Sequence, residues 1–281
     1  MEPIALPRDL PGAAASCLAV RDPTRKMELT AVAADAWEAG LLQLEPDRPS
    51  PPIDEPGRPD RPVLVSPREL PRRSLAHVQG RAALIHAVAH IEFNAINLAW
   101  DVVQRFGGMP RAFYADWVRV AREEAYHFGL MRQRLWDLGS DYGAFPAHDG
   151  LWDMARRTAH DPLVRMALVP RVLEARGLDV TPAMIERFRA AGDPQTAAAL
   201  EIILRDEIGH VAAGSQWFRT LCEGRGLDAE TVYFDLVDEY LRGEIRCPLN
   251  LADRRRAGFG DGELDRLEAM CAKRDRSRRK P

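Results

Sequence analysis

The sequence has few cysteines, and none of them are paired by spacing. Cys17, Cys222, Cys247 and Cys271 lie far apart among 281 residues and form no Cys-x-x-Cys motif. Zinc ribbons and dithiol redox centres use that motif, so neither is expected here. We expect four reduced thiols in a cytoplasmic protein, because disulfide bridges are rare in that compartment.

Long hydrophobic runs and a large excess of one charge are also missing. No apolar run approaches the roughly 20 residues of a membrane-spanning helix, and the first residues, MEPIALPRDL, lack the regions of a signal peptide. The formal net charge is only −3, which predicts neither a nucleic-acid surface nor a membrane surface. Alternating β-branched runs are scarce as well, which favours helices over strands.

One pattern of metal-binding residue types occurs twice. A lone glutamate is followed, 32 residues later in the first copy and 33 in the second, by Glu-x-x-His. The two copies consist of Glu92, Glu124 and His127, and of Glu174, Glu207 and His210. This is the ligand set of a dinuclear carboxylate centre in a four-helix bundle, in which two helices give one Glu each and two give Glu-x-x-His.

The spacing within each copy fits that architecture. Residues at i and i+3 of a helix lie on the same side, so each Glu-x-x-His can bind one metal from one face. A separation of 32 or 33 residues suits half a helix, a turn and half an antiparallel helix. The 50 residues from Glu124 to Glu174 leave room for a long crossover. The sequence therefore predicts an all-α, ferritin-like four-helix bundle with a central site.

The predicted ligands interrupt apolar helix faces. Val88, Ala89, Ala95, Ile96 and Ala99 surround Glu92 at helical spacing. A carboxylate in such a stripe is costly to bury unless it is paired or bound to a metal. Two divalent cations would balance the four carboxylates. A metal-free bundle with a polar core remains the alternative, since a single Glu-x-x-His is a weak signal.

The ligand types also indicate the metal and the chemistry. Carboxylates with two imidazoles suit two iron ions, or alternatively Mn/Fe or Mn/Mn, rather than a structural zinc. Two ferrous ions with open positions can react with O₂. We expect an oxidase or monooxygenase, monomeric or homodimeric, that uses an electron donor and a small or nucleoside-type substrate. The alternatives are an iron-handling ferroxidase and a metal-stabilised scaffold without catalysis.

Four segments are predicted along the chain. They are an N-terminal helical segment (1–45), a Pro-rich segment (46–73), the bundle (74–223), and a C-terminal helix at about 228–243 with an extended tail and a basic, solvated end (224–281). The Pro-rich segment is expected to lie as an extended strap on the bundle, or alternatively to dock another protein. Helix boundaries inside the bundle are predicted at Gly107–Pro110, Asp161-Pro162, Thr181-Pro182 (opening a short fifth element) and Asp193-Pro194.

Other residues have two interpretations each. Pro170 lies four residues before Glu174 and either kinks the third helix or marks its start. His86 and His90 cannot share the face of Glu92, so they are expected to contact each other or the Pro-rich segment rather than a metal. Tyr126 precedes the predicted ligand His127, and Tyr114 lies near the start of the second helix; a redox role for either would depend on its distance from the metals.

Four long stretches carry a family resemblance. HAVAHIEFNAINLAWD, REEAYHFGLMRQRLWDLGSDYGAFPAHDGLW, MALVPRVLEARGLDVTP and LRDEIGHVAAGSQWF resemble the bacterial ferritin-like group catalogued as domain of unknown function 455, over roughly residues 15 to 260. The resemblance implies a dinuclear iron site in which Glu124 and Glu207 bridge the metals and Glu92 and Glu174 are terminal ligands. A more distant similarity links the chain to a di-iron monooxygenase that hydroxylates a tRNA nucleoside, but no motif transfers that substrate.

Overall fold

The fold is all-α, as the sequence predicts. The computed structural model describes residues 6–44, 53–70 and 74–278, and within these ranges it contains helices and two isolated β-bridges but no strand. Parts of the Pro-rich segment (46–52 and 71–73) and the last three residues lie outside the described ranges, as do the side chains of the basic end from residue 274. The chain forms two compact units: unit 1 comprises Met1–Arg156 and Phe188–Ala199, and unit 2 comprises Arg157–Arg187 and Leu200–Pro281.

The helices are numbered in chain order. They are α1 (Leu10–Ala19), α2 (Pro23–Glu38), α3 (Val78–Arg105), α4 (Arg111–Asp137), α5 (Gly150–Arg157), α6 (Pro162–Leu168), α7 (Ala175–Ala190), α8 (Pro194–Gly224), α9 (Ala229–Leu241), α10 (Leu251–Arg256) and α11 (Asp261–Arg278). A 3₁₀ turn covers Pro67–Glu69, and a π-helical stretch, Val169–Glu174, joins α6 to α7.

Most predicted helix boundaries are confirmed. The α3–α4 turn falls at the predicted glycines. Asp161 and Asp193 accept hydrogen bonds from backbone N–H groups at the starts of α6 and α8, Leu163 at 2.8 Å and Thr196 at 3.0 Å. An aspartate cap followed by proline at the first helical position explains both starts.

The boundary predicted at Pro182 is wrong. Pro182 lies inside α7, which continues to Ala190. Proline has no N–H for the carbonyl four residues earlier, which belongs to Leu178. The side chain of Asn250 supplies the missing donor, with Nδ2 3.2 Å from that carbonyl. Asn250, 68 positions from Pro182 in sequence, thus lets helix α7 continue past the proline.

Unit 1 is built on the antiparallel pair α3 and α4, with α1 packed on α3 and α2 packed on α4. Trp100 of α3 donates its indole N–H to Thr30 of α2 (3.0 Å). By length and composition α3 could cross a membrane, but 83% of its most apolar window is buried inside the protein. The hydropathy of α3 is therefore that of a core helix.

The described part of the Pro-rich segment lies along unit 1. Its Ile53 and Asp54 carbonyls accept from Arg105 and Trp152, both at 2.9 Å. Farther along, Val65 donates its backbone N–H to the Ala147 carbonyl at 2.8 Å. These bonds satisfy main-chain groups of a segment whose described residues form only an isolated β-bridge and a short 3₁₀ turn.

Unit 2 contains more helix than the sequence predicted. The helix expected at about 228–243 is present as α9, but the extended tail expected after it is wrong, because α10 and α11 occupy most of that region. Leu264 and Leu267, three residues apart on α11, are buried. Glu263 accepts from the Gly260 N–H at 2.8 Å in the first turn of α11. Buried apolar residues and an N-terminal acid stabilise this helix.

The expectation of four reduced cysteines is also wrong. Cys247 and Cys271 form a disulfide, with Cα atoms 5.8 Å apart. Helix α11 brings the second cysteine back to the first across 24 residues of sequence, a proximity that sequence spacing does not indicate. Cys17 and Cys222 are free and buried.

Candidate metal centre

Helix α3 supplies the first predicted ligand from an apolar face. Glu92 is 2% exposed, and the same-face residues predicted to surround it are all buried. Burial in this setting removes the water that would otherwise stabilise the charge of the carboxylate. Any group that stabilises it must reach it inside unit 1.

Helix α4 brings two more ligands to the same point. Glu124 and His127 are fully buried, and the ligand atoms of Glu92, Glu124 and His127 lie within 4.8 Å of one another. His127 Nδ1 is 3.5 Å from Glu92 Oε2 and 3.5 Å from Glu124 Oε2. The i, i+3 spacing on α4 thus directs both side chains of the motif toward Glu92, as predicted. We call these three residues the unit 1 half-site.

The half-site favours a positive charge. Burial, together with the charge of Glu124, raises the pKa of Glu92 well above its usual range. Burial alone would lower the pKa of His127, but its contacts with Glu124 and Glu92 outweigh that effect and raise the pKa to about 11. Two carboxylates around one imidazole hold a proton strongly, and the same geometry can hold a metal cation.

Unit 2 contains the second predicted set. Glu207 and His210 lie one turn apart on α8, with His210 Nδ1 3.7 Å from Glu207 Oε2. Glu174 is the last residue of the π-helical stretch. All three side chains are buried.

A close contact between helices lies near Glu174 and His210. A Cβ added to Gly214 of α8 would lie 2.3 Å from Pro170 Cβ, so the two backbones approach where only glycine fits. Pro170 is four residues before Glu174, and Gly214 is four residues after His210. The Gly214–Pro170 contact therefore lies about one helical turn from each of these two predicted ligands.

Pro170 deforms its helix instead of starting it. Helix α6 begins eight residues earlier, at Pro162, so the alternative of a helix that starts near Pro170 is wrong. The chain widens to a π-helix from Val169 to Glu174, which accommodates a proline that cannot donate a backbone hydrogen bond. The predicted ligand Glu174 stands at the end of this widened turn.

His86 and His90 lie on another side of α3. His90 Nδ1 is 2.9 Å from the Tyr142 hydroxyl, and His90 Nε2 is 3.2 Å from the His148 carbonyl. His86 Nε2 accepts from the Gly143 N–H at 2.9 Å. Burial lowers the pKa of His90 to about 3. Neither histidine belongs to the group of unit 1 that could hold a metal ion.

The tyrosines of unit 1 have different surroundings. Tyr126 is 52% exposed, and the Tyr114 hydroxyl bonds to the Phe106 carbonyl at 2.9 Å. Tyr142, which the sequence analysis did not single out, packs its ring between Phe93 and Phe128, with centroids 5.2 and 5.1 Å away. It lies in a loop with no periodicity, so no sequence signal pointed to it.

Comparison with known proteins supports the resemblance found in the sequence. A family model described as "Protein of unknown function (DUF455)" matches residues 19–265. An uncharacterized protein of Haemophilus influenzae is 50% identical over 214 residues, which is 74% of this chain and 74% of that protein. No solved structure matches the chain. Neither description names an activity.

Proposed function

The chain belongs to the DUF455 family, and since that description assigns no activity, we propose one from the buried side chains. We propose a dinuclear iron or manganese protein that activates O₂ as an oxidase or monooxygenase. The observation that carries the proposal is the unit 1 half-site, where two carboxylates and one imidazole converge in the core.

The residues of the half-site fit a hard divalent cation. Carboxylate oxygens with a single imidazole suit iron or manganese, and sulfur is absent from the group. Glu92 Oε2 is buried and makes no hydrogen bond among the described residues, although His127 lies 3.5 Å away. A metal ion would satisfy this oxygen and offset the charge of both carboxylates.

The dinuclear part of the proposal rests on the duplicated sequence pattern. The second Glu and Glu-x-x-His set, with its own buried side chains in unit 2, matches the first in residue types and spacing. We propose that each Glu-x-x-His glutamate bridges the metals and each lone glutamate is terminal. The six proposed ligands are Glu92, Glu124, His127, Glu174, Glu207 and His210.

The protein itself would hold and shield the metals. When bound, two ferrous ions supply the capacity to bind and reduce O₂. The apolar face around Glu92 keeps bulk water from the half-site, and helix α4 fixes the ligand spacing. The small or nucleoside-type substrate, the electron donor, the cytoplasmic location and the monomeric or homodimeric state belong to the same proposal. The Cys247–Cys271 bridge would be unusual in a reducing cytoplasm.

Metal content tests the proposal first. The chain is purified from cells supplemented with iron and manganese, beside a Glu124→Ala, Glu207→Ala variant, and metals are measured by elemental analysis. A Glu123→Ala, Glu201→Ala variant is the matched control, because it removes two neighbouring acids from the same helices, α4 and α8. We expect about two metal ions per chain in the unmodified protein and the control, and a loss of both in the ligand variant.

Further measurements separate the outcomes. Metal absent from every sample, with no change in thermal stability when iron or manganese is added, would refute the metal centre. Bound iron without O₂ consumption after anaerobic reduction would leave a metal-stabilised scaffold. A large hollow assembly in solution would favour iron storage, whereas a monomer or dimer would favour the enzyme.

A further inference from the structure

A cavity in unit 1 lies apart from the proposed ligands. It is open to solvent, has a volume of about 820 Å³, and lies between the Pro-rich segment, the end of α1, His90 and Tyr142. Pockets of this size hold small organic molecules. Its apolar wall is formed by Ile53, Pro56, Pro59, Pro62, Val63 and Leu64.

The charged residues of the lining are paired with opposite charges. Arg58, which is mostly buried, lies 2.6 Å from Asp149. Arg21 pairs with Asp60. The second acid of the lining, Glu55, pairs with Arg156. The two arginines and two acids of the lining balance in formal charge, so the lining carries no surplus charge of one sign for a phosphate, a carboxylate or an ammonium group.

The Tyr142 hydroxyl, in the lining of the cavity, keeps hydrogen-bonding capacity for a ligand. Among the described residues the Tyr142 hydroxyl makes one hydrogen bond, to His90 Nδ1 at 2.9 Å. Whichever of the two groups donates in that bond, the tyrosine oxygen retains at least one lone pair. A ligand that supplies an N–H or O–H donor would satisfy it, and a ligand without a donor would leave it unpaired.

We propose that this cavity is a binding site for a neutral, largely apolar small molecule that carries one hydrogen-bond donor for Tyr142. The apolar wall would contact the body of such a molecule, and the balanced charges of the lining favour a neutral one. The Tyr142 hydroxyl would accept a hydrogen bond from its donor. The proposal does not require a metal. The Tyr142 ring packs on Phe93 and Phe128, the neighbours in sequence of Glu92 and His127.

Three indole probes test the site on protein treated with a chelator, so that binding is measured without metals. Indole is neutral and has an N–H donor, 1-methylindole lacks the donor, and indole-3-acetate adds a negative charge. Ligand-observed NMR titration gives the three dissociation constants. We expect indole to bind about fivefold more tightly than 1-methylindole, as for one net hydrogen bond, and more tightly than indole-3-acetate.

Variants then locate the binding. Tyr142→Phe keeps the ring contacts and removes the oxygen, so the ratio between indole and 1-methylindole should fall to about one. Ala19→Trp adds bulk at an exposed position of the cavity lining and should abolish indole binding, while Ala112→Trp, an equal change at an exposed position of α4 outside the lining, should not. Thermal melts confirm that each variant is folded.

Three results would overturn the proposal. They are failure of all three probes to bind, indole binding that survives Ala19→Trp, and preference for indole-3-acetate over indole. None of them bears on metal content, so failure of this site and failure of the metal centre are distinguishable.

Discussion

Lys26 gives a quantitative test of how the core of unit 1 tolerates charge. Its side chain is fully buried, and Nζ donates to the Cys17 and Leu18 carbonyls and to Asn97 Oδ1 at 2.9, 3.1 and 2.6 Å. Burial is the main cause that lowers its pKa from 10.5 to about 7. Asn97 lies on α3, five residues after Glu92, so this lysine also fixes the helix that carries a proposed ligand.

The lowered pKa sets the sign and size of the effect. Between pH 7 and 10.5 the unfolded chain binds more protons at this lysine than the folded chain, so its contribution to the free energy of unfolding rises with pH. One pKa unit corresponds to about 1.4 kcal/mol. From pH 7 to pH 9 the expected gain is therefore about 2 kcal/mol, allowing for partial titration near pH 7. Lys26→Met removes the titrating group and with it this gain.

Urea denaturation at pH 7, 8 and 9 measures the effect as the difference between the unmodified chain and Lys26→Met. Burial raises the pKa of Cys17 to about 12, but this thiol is present in both proteins and cancels in the difference. Lys273→Met, at an exposed position of α11, is the matched control and should show no such trend. A difference between the unmodified chain and Lys26→Met that stays constant from pH 7 to pH 9 would refute the reasoning.

Two further predictions concern unit 2. Gly214→Ala would force a Cβ to within 2.3 Å of Pro170 and should lower the free energy of unfolding by about 1–3 kcal/mol. Gly177→Ala adds a Cβ where space is open and should raise the free energy of unfolding by up to about 1 kcal/mol. Equal melting temperatures for the two variants would contradict the close contact. Replacing both Cys247 and Cys271 by serine should lower the free energy of unfolding by about 3 kcal/mol, as for a loop of 24 residues. In the denatured but unreduced chain, two of the four cysteines should react with a thiol reagent, whereas four reactive thiols would disprove the bridge.

Local signals in the sequence predicted most of the helices and the contents of the unit 1 half-site. The stripe around Glu92 and the i, i+3 pair on α4 depend on helical geometry alone, and that geometry is the same in any helix. Aspartate caps followed by proline likewise act over three or four residues. Such features can be read from sequence because their causes lie within one turn.

The features that the sequence failed to predict depend on distant partners. The helix passes through Pro182 because Asn250 bonds the Leu178 carbonyl, and Cys271 meets Cys247 because α11 is helical where an extended tail was expected. Tyr142 reaches the cavity from a loop. Each case needs a contact between residues far apart in sequence, which periodicity and capping rules do not contain.

The buried charged residues described below fall into two groups, which differ in how their partners are arranged. Arg254 pairs through two nitrogens with Asp179, at 2.9 and 2.7 Å, and Lys26 has three acceptors. Both side chains find acceptors inside the core, as expected of groups that hold helices together. The unit 1 half-site instead brings two carboxylates to one imidazole, and the pKa values of Glu92 and His127 are both raised, which is the direction that favours a positive charge there. Two buried acids side by side cost stability unless a further positive charge is supplied, and this cost is the physical reason for the function that we propose for this site.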